Sequence, residues 1–527
     1  MHALIVGSGP AAAGAALALA RRPDVRITVL DLGLRLEPER RRALEELSGR
    51  EPEGWDGDMV RLISTQPVDS RVSGLPEKRA YGSDFPFRDL GQLGGVNAAT
   101  GVHRALVSAA YGGFSNVWGS QLMPFTAATF ETWPVSATEM EPHYRAVLDR
   151  IPFAGEEDDL GRLFPLIGRA SPLPRLSDRS VRVLAAYDRH RSALNRMGVS
   201  VGRARLAFQA DACTRCGLCM TGCPYGLIYS AAQTFDALRR SGRIAYHSGL
   251  MAYRVSERGE RVAVRARELA GGELRCFEGD RLYVACGALG TTRLVLGSLG
   301  LYDREVRLAE SAQFTVPMLS ARAARDPREE AHFTLNQFNM VVELDAAGLD
   351  VSQLHYYAYN PAFTAALPAP LRADPFLRPL LRRLAVGIGY LPSWASPGLT
   401  VRARSAPDGE LAVLSLERER PTWGRNRMLR TVLARLVRAA PLLDLYPLLP
   451  RMILAAGGKS YHFGSSFPLA AGAPTERTSD RLGRVGPWRR IHLVDAAVFP
   501  NVPATTFTLT IMANAHRIAA ESLEAQR

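Results

Sequence analysis

The sequence predicts an α/β protein in which a parallel sheet with covering helices is joined to a second part built on antiparallel strands. A short apolar strand at 3–6 is followed by a glycine turn, an alanine-rich helix and another apolar strand at 26–30. A similar strand, turn and helix recur at 281–296. Such alternation of strand and helix is typical of parallel sheets. Alternating apolar and polar runs between 338 and 416 predict antiparallel strands with one buried face.

The first turn has the spacing G-x-G-x-x-A of a dinucleotide-binding motif. Gly7 permits the tight turn, Gly9 lets the backbone approach a pyrophosphate, and Ala12 allows close packing of helix on strand. Asp31, at the end of the second strand, is placed to accept hydrogen bonds from ribose hydroxyls. The helix N-terminus adds N–H donors for the phosphates. The motif therefore predicts a Rossmann-like domain, without deciding between FAD and NAD.

The composition is that of a soluble globular protein with a basic surface. Apolar residues make up 47% of the 527 residues, and the formal net charge is +13, mostly from arginine spread along the chain. This spread, with no nucleic-acid-binding motif, argues against a nucleic-acid partner. The chain enters its first strand directly after His2 and has no apolar run of about 20 residues, so we expect a cytoplasmic protein.

Three later segments resemble those of the glucose-methanol-choline family of FAD-dependent oxidoreductases, and they occur in the family's order. The residues that carry the resemblance are Gly112, Gly113, Ser115 and Asn116 in a Gly-Gly-x-Ser loop, Gly287 and Ala288 in a turn before a helix, and His462 and Asp495 near the C-terminus. The resemblance implies that these residues contact FAD, apart from the histidine. The C-terminal His-x-Gly pattern is similar to that of the pyranose-oxidase and cholesterol-oxidase branch.

The resemblance also implies a reaction, the removal of a hydride from the alcohol carbon of a small molecule such as a sugar or a lipid-linked alcohol. In the family a histidine takes the hydroxyl proton, and His462 matches that position. The family's second catalytic group, a histidine or asparagine, is matched by Thr506, which can hydrogen bond but cannot act as a base near neutral pH. Asn501, in the same loop, is the alternative. Rival interpretations are a flavin electron-relay protein and a flavin-dependent reductase or isomerase.

Four of the six cysteines lie close together, and their spacing C-x₂-C-x₂-C-x₃-C-P is that of bacterial ferredoxins. They are Cys213, Cys216, Cys219 and Cys223. In a reducing compartment such a run indicates metal or redox chemistry more often than disulfides. Three interpretations remain open: a [4Fe–4S] or [3Fe–4S] cluster, a zinc site, and a loop without metal such as some family members carry. A cluster would pass electrons singly to an acceptor protein or a quinone.

The predicted domains are discontinuous in sequence. The FAD-binding domain is assigned to 1–125, 236–310 and 455–527, an insertion with the cysteines to 126–235, and an α+β substrate domain with an antiparallel sheet to 311–454. Two basic amphipathic segments of the substrate domain, 371–384 and 425–440, leave two alternatives open. They fit ordinary helices packed on a sheet, and they also fit peripheral contact with an anionic membrane.

Overall fold

A computed structural model describes residues 1–65, 78–88, 96–98, 102, 107–345, 350–359, 364, 369–405, 412–420 and 423–524. In chain order, the helices are α1 (Pro10–Ala20), α2 (Pro38–Ser48), α3 (Gly57–Ser64), α4 (Ala137–Leu148), α5 (Asp178–Arg196), α6 (Ala231–Arg240), α7 (Ala288–Leu299), α8 (Asp374–Leu381), α9 (Trp423–Leu443) and α10 (Thr508–Glu524). The strands are β1 (His2–Val6), β2 (Arg26–Leu30), β3 (Val96–Ala98), β4 (Val199–Arg203), β5 (Ile244–His247), β6 (Leu250–Arg258), β7 (Arg261–Glu268), β8 (Leu274–Gly279), β9 (Arg281–Val284), β10 (Glu305–Glu310), β11 (Gln313–Leu319), β12 (Asn336–Glu343), β13 (Val351–Tyr357), β14 (Leu384–Tyr390), β15 (Leu399–Ser405), β16 (Ala412–Arg418), β17 (Tyr446–Pro447), β18 (Ile453–Leu454), β19 (Phe463–Gly464) and β20 (Ile491–Leu493).

The parallel sheet has the strand order β20-β9-β1-β2-β5, and all its strands run in the same direction. Its central strand β1 is buried on both faces, which explains why Leu4 and Ile5 are both apolar and fully covered. Because the strands come from both ends of the sequence, the last part of the chain completes the sheet that the first part begins. The predicted α/β fold is thereby confirmed.

Helices α1 and α10 pack directly on one another beside this sheet. A Cβ atom at Gly14 would lie 2.2 Å from the carbonyl oxygen of Met512, so only glycine allows the backbones to come this close. Both helices are rich in buried alanines, which gives them flat faces for this contact. The first helix after the glycine turn is therefore held in place by the last helix of the chain.

The second part of the molecule contains the predicted antiparallel sheet. Seven strands take part, in the order β17-β11-β14-β13-β12-β4, with β18 also pairing to β11. Strand β4 belongs to the cysteine-bearing segment 126–235, so that segment is hydrogen-bonded to the edge of this sheet. A five-stranded sheet, β19-β10-β15-β16-β3, shares its apolar core with the parallel sheet, and β6, β7 and β8 form a further antiparallel sheet. The domain boundaries themselves stay a prediction.

The basic amphipathic segment 425–440 turns most of its apolar side inward. In α9 the side chains of Leu429, Val432 and Leu436 are buried, and they belong to the same apolar core as Phe314 and Val316 of β11. Of the two alternatives for this segment, packing on a sheet accounts for its apolar stripe. Among the described residues, no helix is both long and apolar enough to span a membrane. Peripheral contact with a membrane stays a prediction.

Candidate active site

A single cavity of about 440 Å³ connects the N-terminal glycine turn with the C-terminal histidine turn. Nine of the predicted site residues line it: Gly7, Gly9, Asp31, Gly113, Ser115, Gly287, Ala288, His462 and Asp495. Several of them follow the carboxyl ends of strands β1, β2, β9 and β20, where parallel sheets usually bind their ligands. Segments that lie more than 400 residues apart in sequence therefore form one site.

Two helix N-termini open onto one end of this cavity. A Cβ atom added to Gly9, at the start of α1, would meet no atom within 4 Å, and the same is true of Gly287 at the start of α7. Neither helix has a side chain that caps its first N–H groups. Gly7 differs, since its φ is +105° and a Cβ atom there would lie 2.4 Å from the carbonyl oxygen of Ala285. Uncapped N–H donors beside open space fit the pyrophosphate of a dinucleotide.

Two buried carboxyl groups line the same end of the cavity. Asp31 accepts hydrogen bonds from the Ser8 hydroxyl at 2.5 Å and from the Tyr246 hydroxyl at 2.8 Å. Asp495 accepts one from the Thr291 hydroxyl at 2.5 Å. Burial raises the pKa of each carboxyl to about 6. Buried oxygen acceptors of this kind are suited to the hydroxyl groups of a ribose, which is the role the sequence predicted for Asp31.

The Gly-Gly-x-Ser loop lies against the glycine turn. A Cβ atom at Gly113 would lie 3.2 Å from the Cα of Gly9, so the two glycines let the segments touch. The Ser115 hydroxyl accepts a hydrogen bond from the backbone N–H of Ala231, at 2.9 Å, and so joins the loop to helix α6. The Asn116 amide donates to two backbone carbonyls of its own loop and does not line the cavity. Its role in this structure is to hold the loop.

Two further predicted residues support the site through the backbone and do not line the cavity. Ala12 is fully buried in α1, as expected for a position that allows the helix to approach the sheet. Gly112 has a φ of +90°, and its N–H donates to the Ser8 hydroxyl at 3.0 Å. Neither residue lines the cavity.

The imidazole of His462 lies at the opposite end of the cavity. Its ring stacks on Tyr390 with the centroids 4.6 Å apart and 17° between the planes, and the Phe507 ring lies 4.7 Å away. The buried Nδ1 has no hydrogen-bond partner among the described residues. Burial lowers the pKa of the imidazole to about 3. The ring is therefore neutral at ordinary pH, so it can accept a proton.

Two tyrosines of the antiparallel sheet, which the sequence analysis missed, also face the cavity. Tyr357 ends β13 and Tyr390 ends β14, and both line the space beside His462. A Cβ atom at Gly119 would lie 2.4 Å from the Tyr357 hydroxyl, so that glycine makes room for it. Burial raises the pKa of both phenols, that of Tyr357 to about 12. Both hydroxyls are therefore protonated hydrogen-bond donors.

The cysteine run forms a loop with its sulfur atoms held near backbone N–H groups. Cys219 and Cys223 are buried, while Cys213 and Cys216 are half-buried, and all four are free thiols. The Cys213 sulfur accepts a hydrogen bond from a backbone N–H at 3.4 Å, and so does the Cys219 sulfur. Backbone N–H groups also act to lower the pKa of Cys216 and Cys223, against the larger effect of burial. Such N–H contacts to sulfur are a feature of iron–sulfur sites.

The four cysteines supply the type of donor that an iron–sulfur cluster needs. In the part of the chain that the structure describes, no three His, Cys, Asp or Glu side chains are grouped to hold one metal ion. The donor type, the spacing and the N–H contacts fit a cluster.

The same loop borders the cavity. Met220 and Thr221, which lie between the third and fourth cysteines, are part of the cavity lining. The loop is held there by a hydrogen bond of 2.6 Å from the N–H of Tyr81 to the carbonyl oxygen of Thr221. The cysteine run thus lies directly next to the cavity that the histidine turn lines.

Comparisons with known proteins bear on both features. A family model described as a 4Fe-4S binding domain matches residues 206–228, which include the whole cysteine run. No curated protein sequence gives a significant match. The structure is similar to that of pyridoxine 4-oxidase from Mesorbium loti, with a TM-score of 0.58, 14% identity, and coverage of 99% of this chain and 98% of that one.

A second similar structure is that of formate oxidase from Aspergillus oryzae RIB40, determined in a study of its FAD modification. The TM-score is 0.62 at 14% identity, over 100% of this chain and 98% of that one. The chain has the fold of the glucose-methanol-choline oxidoreductases. The fold that the sequence motifs predicted is thereby confirmed over the full length of the chain.

Two residues that were predicted to be catalytic are not part of the lining of the cavity in this glucose-methanol-choline fold. The Asn501 amide donates to the Thr132 hydroxyl at 2.6 Å, and Asn501 is not part of the lining. Thr506 is buried beside Phe507, its hydroxyl has no partner among the described residues, and it does not line the cavity either. Their catalytic roles stay predictions, which the positions of these side chains do not favour.

A buried carboxyl group is hydrogen-bonded to the turn that carries His462. One oxygen of Glu310 accepts hydrogen bonds from the N–H of Gly458 at 2.8 Å and from the Ser460 hydroxyl at 3.0 Å. The Ser460 hydroxyl in turn accepts the N–H of His462 at 3.1 Å. Burial raises the pKa of Glu310 to about 7. The turn that carries the imidazole therefore rests on a carboxyl group that titrates near neutral pH.

This carboxyl makes stability depend on pH. Because the folded pKa of Glu310 is raised from 4.5 to about 7, its contribution is complete below pH 4.5 and is lost as pH rises through about 7. We expect Glu310→Gln to remove this loss, which is at most about 3 kcal/mol at about 1.4 kcal/mol per pKa unit. Urea unfolding of both proteins across this pH range measures it. Parallel stability curves for the two proteins would contradict the assignment.

Proposed function

We propose that the protein is an FAD-dependent oxidoreductase that oxidises the CH–OH group of a small-molecule alcohol. The observation that carries this proposal is the single cavity, whose lining brings together two open helix N-termini and a neutral, half-buried histidine. The likeness to two oxidases over the whole chain supports it, and so does the glycine motif of the first turn.

The cofactor would be held at the first end of the cavity. The N–H groups that follow Gly9 and Gly287 would bind the pyrophosphate, and the Asp31 carboxyl would bind the ribose. FAD, when bound, supplies the acceptor for the hydride. The chain's own task is then to place the alcohol and to remove its hydroxyl proton.

The substrate hydroxyl fits between the imidazole of His462 and the phenols of Tyr357 and Tyr390. The phenols remain protonated and donate hydrogen bonds, which orients the oxygen of the substrate. The imidazole accepts the hydroxyl proton as a general base. Stacking on Tyr390 fixes the plane of the ring, so the proton acceptor keeps one orientation. Burial lowers the pKa of His462 and so keeps the imidazole unprotonated before the substrate binds.

The test uses purified protein loaded with FAD under anaerobic conditions. Primary and secondary alcohols should bleach the flavin absorption near 450 nm (roughly, from general cofactor chemistry), whereas tertiary alcohols of similar size should not. A tertiary alcohol has no hydrogen on its alcohol carbon, so it binds without being oxidised. Absence of flavin binding, or bleaching by neither class, would contradict the proposal.

The proposal extends to the path of the electrons. Cys213, Cys216, Cys219 and Cys223 would hold an iron–sulfur cluster, which supplies one-electron transfer to an acceptor protein or a quinone. The ferredoxin spacing, the match to a 4Fe-4S binding domain and the N–H contacts support this assignment. The place of Met220 and Thr221 in the cavity wall supports a direct route from the flavin. An enzyme of this kind is a dehydrogenase.

The cysteines can be tested by metal content. We expect Cys219→Ser to lower the iron and acid-labile sulfide per protein by more than half, because a buried ligand of the cluster is removed. Cys276→Ser is the matched control, since this exposed cysteine lies on β8, outside the run. Iron and sulfide are measured after anaerobic purification. Equal metal content in the two variants would exclude the cluster.

A further inference from the structure

The chain contains only two lysines, and both line the cavity. Of its 65 basic residues, 63 are arginines, and the lysines are Lys78 and Lys459. Among the described residues, Arg293 is the one arginine in the lining. If lysines were placed without regard to function, both would be expected on the surface with the arginines. Their position indicates that the cavity requires a lysine where the rest of the chain uses arginine.

Lysine and arginine differ in ways that matter inside a cavity. The lysine ammonium is a compact charge with three donors on a flexible stem, whereas the guanidinium is a wide planar group. An ammonium can approach a single oxyanion from many directions, so it suits a ligand whose size and position vary. A wide, fixed guanidinium would fill the space that a substrate needs. Two compact cations are therefore a means of binding an anion within a limited volume.

Lys78 belongs to the histidine end of the cavity. Its ammonium donates a hydrogen bond of 2.8 Å to the carbonyl oxygen of Trp118. The next residue, Gly119, lies directly against the hydroxyl of Tyr357. Because Tyr357 is one of the two phenols beside the imidazole, Lys78 is linked through Trp118 and Gly119 to the proposed substrate side of the cavity.

Lys459 also lines the cavity and belongs to the turn that carries His462. It precedes His462 by three residues, and its ammonium lies 5.9 Å from the centre of the Tyr461 ring. The Tyr461 ring in turn packs against Phe114, with 5.3 Å between the centroids. Both lysines are thus connected to the residues that surround the proposed reaction centre.

The charge of Lys78 has no carboxylate partner within the described ranges. Its one hydrogen bond there is to a neutral carbonyl, and the residue is half-buried. Withdrawing an ammonium from water without a counter-charge costs free energy. An anion bound in the cavity would relieve this cost. The overall charge of +13 would also attract an anion towards the protein.

We propose that Lys78 and Lys459 form an anion-binding pair, and that the substrate is an alcohol that also carries an oxyanion, either a carboxylate or a phosphate. The assignment of a substrate rests on the proposed function, whereas the anion site itself does not. The rival sources of negative charge are the phosphates of FAD and a cluster on the cysteine run, since Cys219 acts on Lys78 electrostatically.

The small number of lysines makes a direct test possible. Reductive methylation of the FAD-loaded protein with ¹³C-formaldehyde labels only the two lysines and the Met1 amine. The variants Lys78→Arg and Lys459→Arg each remove one signal and so assign the spectrum. Acetate or inorganic phosphate is then added at constant ionic strength, with chloride as the control. We expect both lysine signals to shift in a saturable way with one of the two anions, while the Met1 signal stays in place.

Other outcomes would overturn the proposal. Lysine signals that do not move, or that move equally with chloride, would show that no oxyanion site exists in the loaded protein. Signals that respond only when FAD is removed would assign the lysines to the cofactor. A Lys78 signal that responds only to Cys219→Ser would assign that lysine to the cluster. Preference for acetate or for phosphate distinguishes the two kinds of substrate.

Kinetics test the substrate class. Lys78→Met should lower the ratio of kcat/KM for a hydroxy acid to that for its methyl ester by about 10- to 100-fold, the value of one charge-assisted hydrogen bond. If phosphate is the preferred anion, a phosphorylated alcohol and its neutral parent are compared instead. Arg240→Met is the matched control, because it removes an equal charge from an exposed position on α6. An unchanged kcat/KM ratio in both Lys78→Met and Lys459→Met would contradict the anion-binding proposal. Failure of every alcohol to bleach the flavin would instead contradict the proposed function alone.

Discussion

Replacing His462 by alanine is expected to slow alcohol-driven reduction of the flavin by about 10²- to 10⁴-fold, while FAD remains bound. The imidazole is the neutral proton acceptor at the histidine end of the cavity, and its Nδ1 has no protein partner among the described residues. The side chain is not among the residues proposed to hold the pyrophosphate and ribose, so its loss should leave the cofactor content unchanged. Anaerobic stopped-flow absorption measures the rate of reduction directly.

The matched control for this variant is His190→Ala. His190 is an exposed histidine on α5, so its replacement should change neither the rate nor the flavin content. His462→Gln, which retains a polar side chain in the turn, separates the loss of the base from any disturbance of the stacked Tyr390. Reduction at the full rate in both His462 variants would contradict the role of the imidazole. It would assign the removal of the hydroxyl proton to another group of the cavity.

The second large effect is expected at two glycines of the same helix. Gly9→Val should fold but fail to retain FAD, because the new side chain meets no protein atom and occupies the space beside the helix N-terminus. Each N–H hydrogen bond that the pyrophosphate loses would lower its affinity by roughly 10- to 100-fold. Flavin fluorescence after gel filtration measures the bound cofactor, and the melting temperature of the cofactor-free protein reports on the fold.

Gly14→Val is the contrasting variant. A Cβ atom there would lie 2.2 Å from the carbonyl oxygen of Met512, so α1 and α10 would have to separate. Overpacking of this kind costs about 1–3 kcal/mol or more, and we expect a lower melting temperature of the cofactor-free protein. If Gly9→Val retained FAD, or if it were destabilised as much as Gly14→Val, the position of the pyrophosphate would be wrong.

The site residues that could be predicted are those whose residue type follows from a short local pattern in the sequence. Gly7 and Gly9 are required by a turn and by an approach to a ligand, so their spacing alone indicated their function. The turn at His462 has two residues with positive φ, at Tyr461 and Ser465, and its resemblance to a known family gave the histidine its role. In each case a few adjacent residues carry the whole signal.

The phenols beside the imidazole could not be predicted in this way. The strand that contains Tyr356 and Tyr357 was recognised from its alternation, but which tyrosine faces the cavity depends on the register with β14. Tyr356 turns away and stacks on Phe338, with 4.5 Å between the centroids. Strand register joins segments that are distant in sequence, so a single chain without its fold does not reveal it.

The sequence pointed to Thr506 and Asn501 as catalytic residues because it does not show the direction of a side chain. Their positions in the sequence correspond to a family pattern, but the direction of each side chain is set by the elements packed around the loop. Asn501 is drawn to Thr132, and Thr506 is buried beside the cavity and not on it. The two lysines are the opposite case, because the sequence analysis did not select them. Lys78 and Lys459 stand out only when the composition of the chain is compared with the residues that line the cavity.

The contact between α1 and α10 has a consequence for biosynthesis. The glycine turn is translated well before helix α10, which supports it, and before strand β20, at the edge of its sheet. The nascent chain must therefore keep the apolar strand β1 and the alanine-rich helix α1 without these partners until α10 has emerged. The proposed cofactor site is consequently completed only after α10 has been synthesised.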